Sequence, residues 1–130
     1  MKFLVTGATG FIGKRVVKQL LNKNITVIAS DVRIDEEQKY FFEYLNQNKL
    51  NINNLKLIEL DISSKENINE VFKNYSFTHM ICCGYQMSNM IDNNPVKGAE
   101  INIVGMTNLF QAVADYKIKR MVFPSSESVY

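Results

Sequence analysis

The spacing of apolar residues along this chain switches repeatedly between a period of two and a period of 3.6, and glycines, acids or serines mark the switching points. Lys2–Thr6 is a short apolar run that stops at Gly7, as a buried strand does, and a helical period takes over at once. Ile12, Val16, Val17, Leu20 and Leu21 form the stripe of a helix that ends near residues 22–24. Thr26–Ser30 predicts a second strand, with Asp31 at its C-terminal end. Residues 33–50 are polar around an aromatic patch of Tyr40, Phe41, Phe42 and Tyr44, which fits a helix with a loose lead-in. Leu55–Leu60 predicts a third strand closed by Asp61. Ser63 or Ser64 can then cap a helix through Phe72, its start favoured by Glu66 and Glu70. His79–Cys83 reads as a fourth strand and residues 85–94 as a loop. Pro95 opens a long helix in which Ala99, Ile103, Met106, Phe110 and Val113 recur up to Tyr116. Arg120–Phe123 is a fifth strand, with Pro124, Ser125 and Ser126 behind it. Strands alternating with helices predict one α/β domain over residues 1–130. Its parallel sheet is doubly wound in the order 3-2-1-4-5 and carries helices on both faces.

Composition narrows the partners. With 130 residues and 46% of them hydrophobic, the chain can bury roughly two thirds of its unfolded surface in one core. The formal net charge is only +2, and the lysines are scattered among acids, so nucleic acid is not an expected partner. No stretch reaches the ~18 apolar residues of a membrane span, and the residues after Met1 read as a strand instead of a signal sequence. A cytoplasmic location is therefore expected. Cys82 and Cys83 are adjacent within a strand, so their side chains point to opposite faces. They are expected to be reduced thiols, neither a disulfide nor a metal pair.

The turn between the first strand and the first helix carries the chemistry. Thr6-Gly7-Ala8-Thr9-Gly10-Phe11-Ile12-Gly13 holds three glycines at intervals of three. Gly7 permits a sharp exit from the strand, Gly10 lets backbone approach a phosphate, and Gly13 lets the helix pack close to the sheet. The helix start then offers free N–H groups and partial positive charge to a pyrophosphate. A glycine triplet alone could be a mere turn. Its place between strand and helix, with an acid ending the next strand, favours a Rossmann-type dinucleotide site made by Gly7, Thr9, Gly10, Phe11, Ile12 and Gly13. A triphosphate-binding P-loop is set aside, because Ala8 stands where its first glycine must lie and Arg15 where a magnesium-binding Ser or Thr is needed.

Asp31 follows Gly13 by 18 residues, close to the ~20 at which a carboxylate accepts hydrogen bonds from the adenosine ribose. A carboxylate there repels a 2′-phosphate and so favours NAD over NADP. Arg33 is the counter-argument, since it could pair with that phosphate. Asp61 has two readings, one at the adenine edge and one as a turn residue that starts the next helix. His79, a single histidine at a strand start, reads as structural.

Taken together, these residues resemble the extended short-chain dehydrogenase/reductases, the NAD-dependent sugar epimerase/dehydratase family. Thr6–Gly13 is similar to its TGxxGxxG loop, Asp31 to its ribose acid, and Asp61-Ile62 to its Asp-plus-apolar pair beside adenine. Asn102-Ile-Val-Gly105 is similar to its NxxG motif, and Ser125-Ser126-Glu-Ser-Val-Tyr130 to its SSxxVY strand end. The five motifs span nearly the whole chain in the family's order. The resemblance implies that Asn102 belongs to the cofactor site and that Ser126 hydrogen-bonds the substrate oxygen. It also places Cys83, Gly84 and Tyr85 on the cofactor channel, where the family usually carries small residues. Tyr85 is bulkier than the usual alanine and is expected to crowd the nicotinamide ribose. Met106 stands where a threonine is common.

The family's proton-transferring tyrosine and lysine belong to a later YxxxK motif, which is missing from this chain. Tyr40 does not supply it, because position 44 is Tyr44. The expectation is thus the NAD-binding N-terminal portion of an epimerase or dehydratase, with the catalytic C-terminal portion absent and no turnover by the chain alone. Its partners would be a dinucleotide and, in the full-length parent, a nucleotide-sugar. The alternative is a non-catalytic module that senses the dinucleotide or its redox state through a partner. Strand five, uncovered at the edge, and the helix over 95–116 predict self-association.

Overall fold

The computed structural model describes residues 1–125, and of residues 88–90 the backbone alone. Its strands are β1 (Lys2–Thr6), β2 (Thr26–Asp31), β3 (Leu55–Glu59), β4 (His79–Cys82) and β5 (Arg120–Val122). They form one parallel sheet in the order β3-β2-β1-β4-β5. Phe3 pairs Val27 on one side and His79 on the other, and Ile81 pairs Val122. The helices are α1 (Gly13–Asn22), α2 (Ile34–Gln47), α3 (Lys65–Asn74), α4 (Ser88–Asn93), α5 (Pro95–Ala99) and α6 (Met106–Asp115). A π-helical stretch, Glu100–Gly105, joins α5 to α6.

The period-two pattern sorts the strands' side chains into two cores. Leu4, Ile28, Ile58 and Met80 face α3 and α6, where they meet Ile68, Phe72 and Leu109. Val5, Val27 and Ala29 face α1 and α2, where they meet Val17, Leu21, Phe41 and Leu45. Phe41 and Leu45 are wholly buried, so the aromatic patch belongs to the core through Phe41 while Tyr40 stays exposed. Burial of one such side chain contributes about 1.5–3 kcal/mol. Cys82 and Cys83 part as expected, one into each core, and both are free thiols.

Three helices end in the same way. Asn24, Lys49 and Lys117 are left-handed at φ 54°, and the amides of Ile25, Leu50 and Ile118 reach back to Leu20, Leu45 and Val113. This is a Schellman closure, and each apolar residue past the turn feeds the chain into the next segment.

Two features depart from the sequence reading. The predicted loop at 85–94 contains the short helix α4. The predicted continuous helix from Pro95 is three consecutive stretches, with the π segment in the middle. Two tertiary constraints meet at that segment: Asn102 reaches across to the main chain of Gln86, and Gly105 is buried against Ile62. Strands β3, β4 and β5 each stop one residue short of the expected end, and β2 runs one residue further, to Asp31. Among the described residues, no helix is long and apolar enough to cross a membrane.

Candidate functional site

The C-terminal ends of β1, β2 and β4 open on a cleft of roughly 520 Å³. Strand order reverses beside β1, because β1–α1–β2 leads to one side and β4 lies on the other. Such a switch point leaves a crevice between the loops that diverge from it.

The glycine loop forms its floor. Gly7 has φ +61°, a conformation costly for any residue with a Cβ, and an added Cβ would lie 2.5 Å from Gly84 N. Gly13 is the second obligatory position. Its α-carbon backs onto the loop itself, so a Cβ would collide with Gly7 O and lie 2.7 Å from Ala8 Cα. The close approach at Gly13 is thus between helix and loop, where the sequence reading had helix against sheet. Among the described residues no side chain caps α1. The amides of Ala8, Thr9, Gly10, Lys14, Arg15 and Val16 all have partners, whereas those of Phe11, Ile12 and Gly13 have none among the described residues. Three successive unpaired donors at a helix start, carrying the positive end of the helix dipole, fit an anionic group such as a pyrophosphate.

The side walls differ in origin. On one side Asp31, Val32 and Arg33 leave β2, and Glu37 joins them from α2. Asp31 Oδ2 accepts from Thr9 N–H at 3.2 Å and from Thr9 Oγ1–H at 2.7 Å, while Oδ1 accepts from Val32 N–H at 2.8 Å. Arg33 lies 4.0 Å from Glu36 with both side chains mostly in solvent, a pair that holds the guanidinium only weakly. Asp61 and Ile62 close the far end. Asp61 Oδ1 accepts from Ser63 N–H and Oγ–H, and its own amide donates to Asn67 Oδ1. It is therefore a turn residue, as one of its two readings had it, and it also lines the cleft. Ser64 is the α3 cap, accepting from Asn67 N–H at 3.2 Å.

On the other side stand Cys83, Gly84, Tyr85 and Gln86, with Lys97 and Ile101 behind them. Asn102 does not line the cleft. Its carboxamide accepts from Gln86 N–H at 2.8 Å and donates to Gln86 C=O at 2.9 Å, which fastens the wall from outside. The side chains of Phe11 and Ile12 are exposed, and neither these residues nor Gly13 lines the cleft. Arg15 covers the Phe11 ring at 3.8 Å and donates to Phe11 C=O at 2.6 Å. Ser126, the expected substrate contact, lies outside the described residues.

Among the described residues, the buried Gln86 Oε1 on the cleft lacks a partner, and Thr6 Oγ1 has none but the weak neighbouring Cys82 thiol. Unsatisfied polar atoms in such a place are fit to meet a ligand or water. Burial pushes the Cys82 thiol up to about 12 and raises Cys83 as well. Both are protonated at neutral pH, so neither supplies a thiolate nucleophile. Among the described residues no cluster of His, Cys, Asp or Glu could hold a metal.

Glu37, Gln86, Lys97 and Ile101 were missed by the sequence reading. Glu37 lies one helical turn beyond Arg33, so i, i+4 spacing from a residue already assigned to the site was a usable signal for it, whereas Lys97 and Ile101 carried none.

These features define a nucleotide-binding Rossmann domain, and comparison with known proteins narrows the class. The profile of the NAD dependent epimerase/dehydratase family matches residues 3–130. The chain is 33% identical to a UDP-glucose 4-epimerase of Pisum sativum, covering 99% of this chain and 37% of that protein. It is 29% identical to a UDP-glucuronate 4-epimerase of Thermodesulfobacterium geofontis, covering 98% and 40%. The structure of the Thermus thermophilus UDP-glucose 4-epimerase in complex with NAD superposes with a TM-score of 0.80 at 27% identity, over 97% of this chain and 38% of that one. Pal from Bacillus thuringiensis superposes with a TM-score of 0.83 at 29% identity, over 100% and 40%. The chain belongs to the NAD dependent epimerase/dehydratase family. It spans under half the length of these relatives.

Proposed function

We propose that this chain holds NAD for an enzyme acting on a nucleotide-linked sugar, and that the 130 residues alone bind the dinucleotide without turning substrate over. The observation that carries the reading is the row of amides at Phe11–Gly13, unpaired among the described residues, which continues the loop that lines the cleft at Gly7, Thr9 and Gly10 opposite Asp31. Those amides would hold the pyrophosphate, Asp31 the adenosine ribose, and Asp61 and Ile62 the adenine edge. Cys83, Gly84 and Tyr85 would line the channel toward the nicotinamide, with Asn102 holding that wall through Gln86. The bound group would supply hydride exchange. Ser126 would orient the substrate oxygen. No YxxxK occurs in residues 1–130, so these residues offer no tyrosine–lysine pair to move the hydroxyl proton.

NAD is favoured over NADP by the charge along one wall. Asp31 and Glu37 both line it, and a 2′-phosphate would face two carboxylates against the single guanidinium of Arg33. Two free thiols suit a reducing, cytoplasmic setting. Self-association would use the apolar surface of the β5 side, where Phe123 is 54% and Ile103 65% exposed. Sedimentation should show a concentration-dependent dimer or larger species, and a monomer at all concentrations would remove that part of the proposal.

Calorimetric titration tests the central reading. The chain should bind NAD more tightly than NADP, and Asp31→Ala should weaken NAD roughly ten- to a hundredfold, the range of one or two charge-assisted hydrogen bonds. No heat of NAD binding by the unaltered chain would overturn it.

A further inference from the structure

We propose that Arg15 is a positioning residue for the pyrophosphate, because its side chain fixes the peptide plane that carries the Ile12 N–H. The inference rests on the NAD reading above. The amides of Phe11, Ile12 and Gly13 belong to three successive peptide units, and in each unit the carbonyl and the N–H share one plane and point opposite ways. Whatever holds the carbonyl therefore aims the amide. Gly10 C=O, which shares its plane with the Phe11 amide, accepts from Lys14 N–H at 3.1 Å. Ile12 C=O, joined in the same way to the Gly13 amide, accepts from Val16 N–H at 3.1 Å and from Arg15 N–H at 3.0 Å. Those two planes are held by the main chain of the opening turn of α1.

The plane between them is not. In a regular helix the Arg15 amide would bond Phe11 C=O, four residues back. Here it turns to Ile12 C=O, and Phe11 C=O accepts no main-chain bond among the described residues. The Arg15 side chain takes that place, with Nη1 donating to Phe11 C=O at 2.6 Å. The guanidinium is steadied in turn by the Phe11 ring, whose centroid lies 3.8 Å from its central carbon, an attraction between a cation and a π face. That ring is 73% exposed and does not line the cleft, so it serves the arginine and not the core. Arg15 thus acts on the Ile12 N–H in two ways. It keeps the middle plane from rotating, and its charge on the carbonyl polarises the peptide, which makes the N–H a stronger donor.

The test uses the free chain and its NAD complex. In free Arg15→Met the amide nitrogen resonance of Ile12 should move upfield, because the lost hydrogen bond returns electron density to that peptide. The Gly13 resonance, whose carbonyl has main-chain partners, should move less. Calorimetric titration should show about fivefold weaker NAD binding by Arg15→Met. The loss should be the same at low and at high salt, because an aimed N–H is not screened as a free charge is. Arg15→Lys keeps the charge but lacks both the planar fork and the face that stacks on the ring, and should bind NAD within about twofold of Arg15→Met. Full affinity in the lysine variant, or a loss that vanishes in high salt, would overturn the assignment in favour of simple charge attraction. Undiminished NAD affinity in Arg15→Met would overturn it too, since a residue that only supports the helix end changes stability alone. NAD binding absent from the unaltered chain would instead remove the reading beneath it.

Discussion

The two walls of the cleft are made in opposite ways. On the β1–α1–β2 side, the floor of the cleft is made by the turn between β1 and α1, and its geometry follows from backbone chemistry. Gly7 makes the turn, Gly13 admits the helix, and three amides are left unpaired among the described residues. On the β4 side the wall from Cys83 to Gln86 has no such intrinsic geometry. Its hold on the rest of the molecule includes one side chain sixteen residues away, Asn102, projected from a π-helical turn. A wall of the first kind is fixed by sterics and tolerates no added atoms. A wall of the second kind is fixed by hydrogen bonds and can loosen without unfolding.

The largest expected effect tests the first half of that contrast. Gly13→Ala puts a Cβ into the Gly7 carbonyl and within 2.7 Å of Ala8 Cα, and both are backbone atoms that cannot rotate away. Either α1 shifts outward or the loop unwinds, at a cost of about 3 kcal/mol. The urea midpoint should fall accordingly, and NAD binding should be lost even where the fold survives, since the amides of residues 11–13 move with the helix. A Gly13→Ala chain of unchanged midpoint would show that the loop is soft and that the contrast between the walls is false.

The same contrast explains what could be read from the sequence. The strand order, the glycine loop and Asp31 were legible because each rests on local rules: period-two runs, glycine spacing, an acid at a strand end. The Gly7 and Gly84 backbones meet as they do because the sheet aligns β1 with β4 in register, so the floor of the cleft follows once the order is known. Asn102 was legible as a site residue only through the family motif, and its contact is with Gln86, not with the cleft. The π turn that aims it leaves no trace in a hydrophobic period, because one extra residue per turn shifts the stripe by about a third of a revolution and mimics a slightly irregular α-helix. Helix α4 was hidden for a related reason. Six residues are too few to show a period. The Thr9–Asp31 clamp joins two motifs that the sequence presented as separate, and nothing in their spacing reports the contact.

A smaller effect tests the second wall. In Asn102→Ala, two hydrogen bonds to the Gln86 main chain are lost, and a methyl group replaces the carboxamide that filled the gap. The Gln86 amide and carbonyl can regain water where the wall opens, so the cost should be about 1–2 kcal/mol, well below that of Gly13→Ala. The amide of Gln86 should exchange with solvent faster, while protection across β1 and β2 is unchanged, because those strands are held by their own ladder. NAD affinity should fall only about threefold, since the variant lowers the fraction of chains with a formed wall and removes no atom that lines the cleft. The ranking of the two effects is the decisive observable. An affinity loss larger than the stability loss would place Asn102 in direct contact with the dinucleotide, and the second wall would then be built by its ligand and not by the chain.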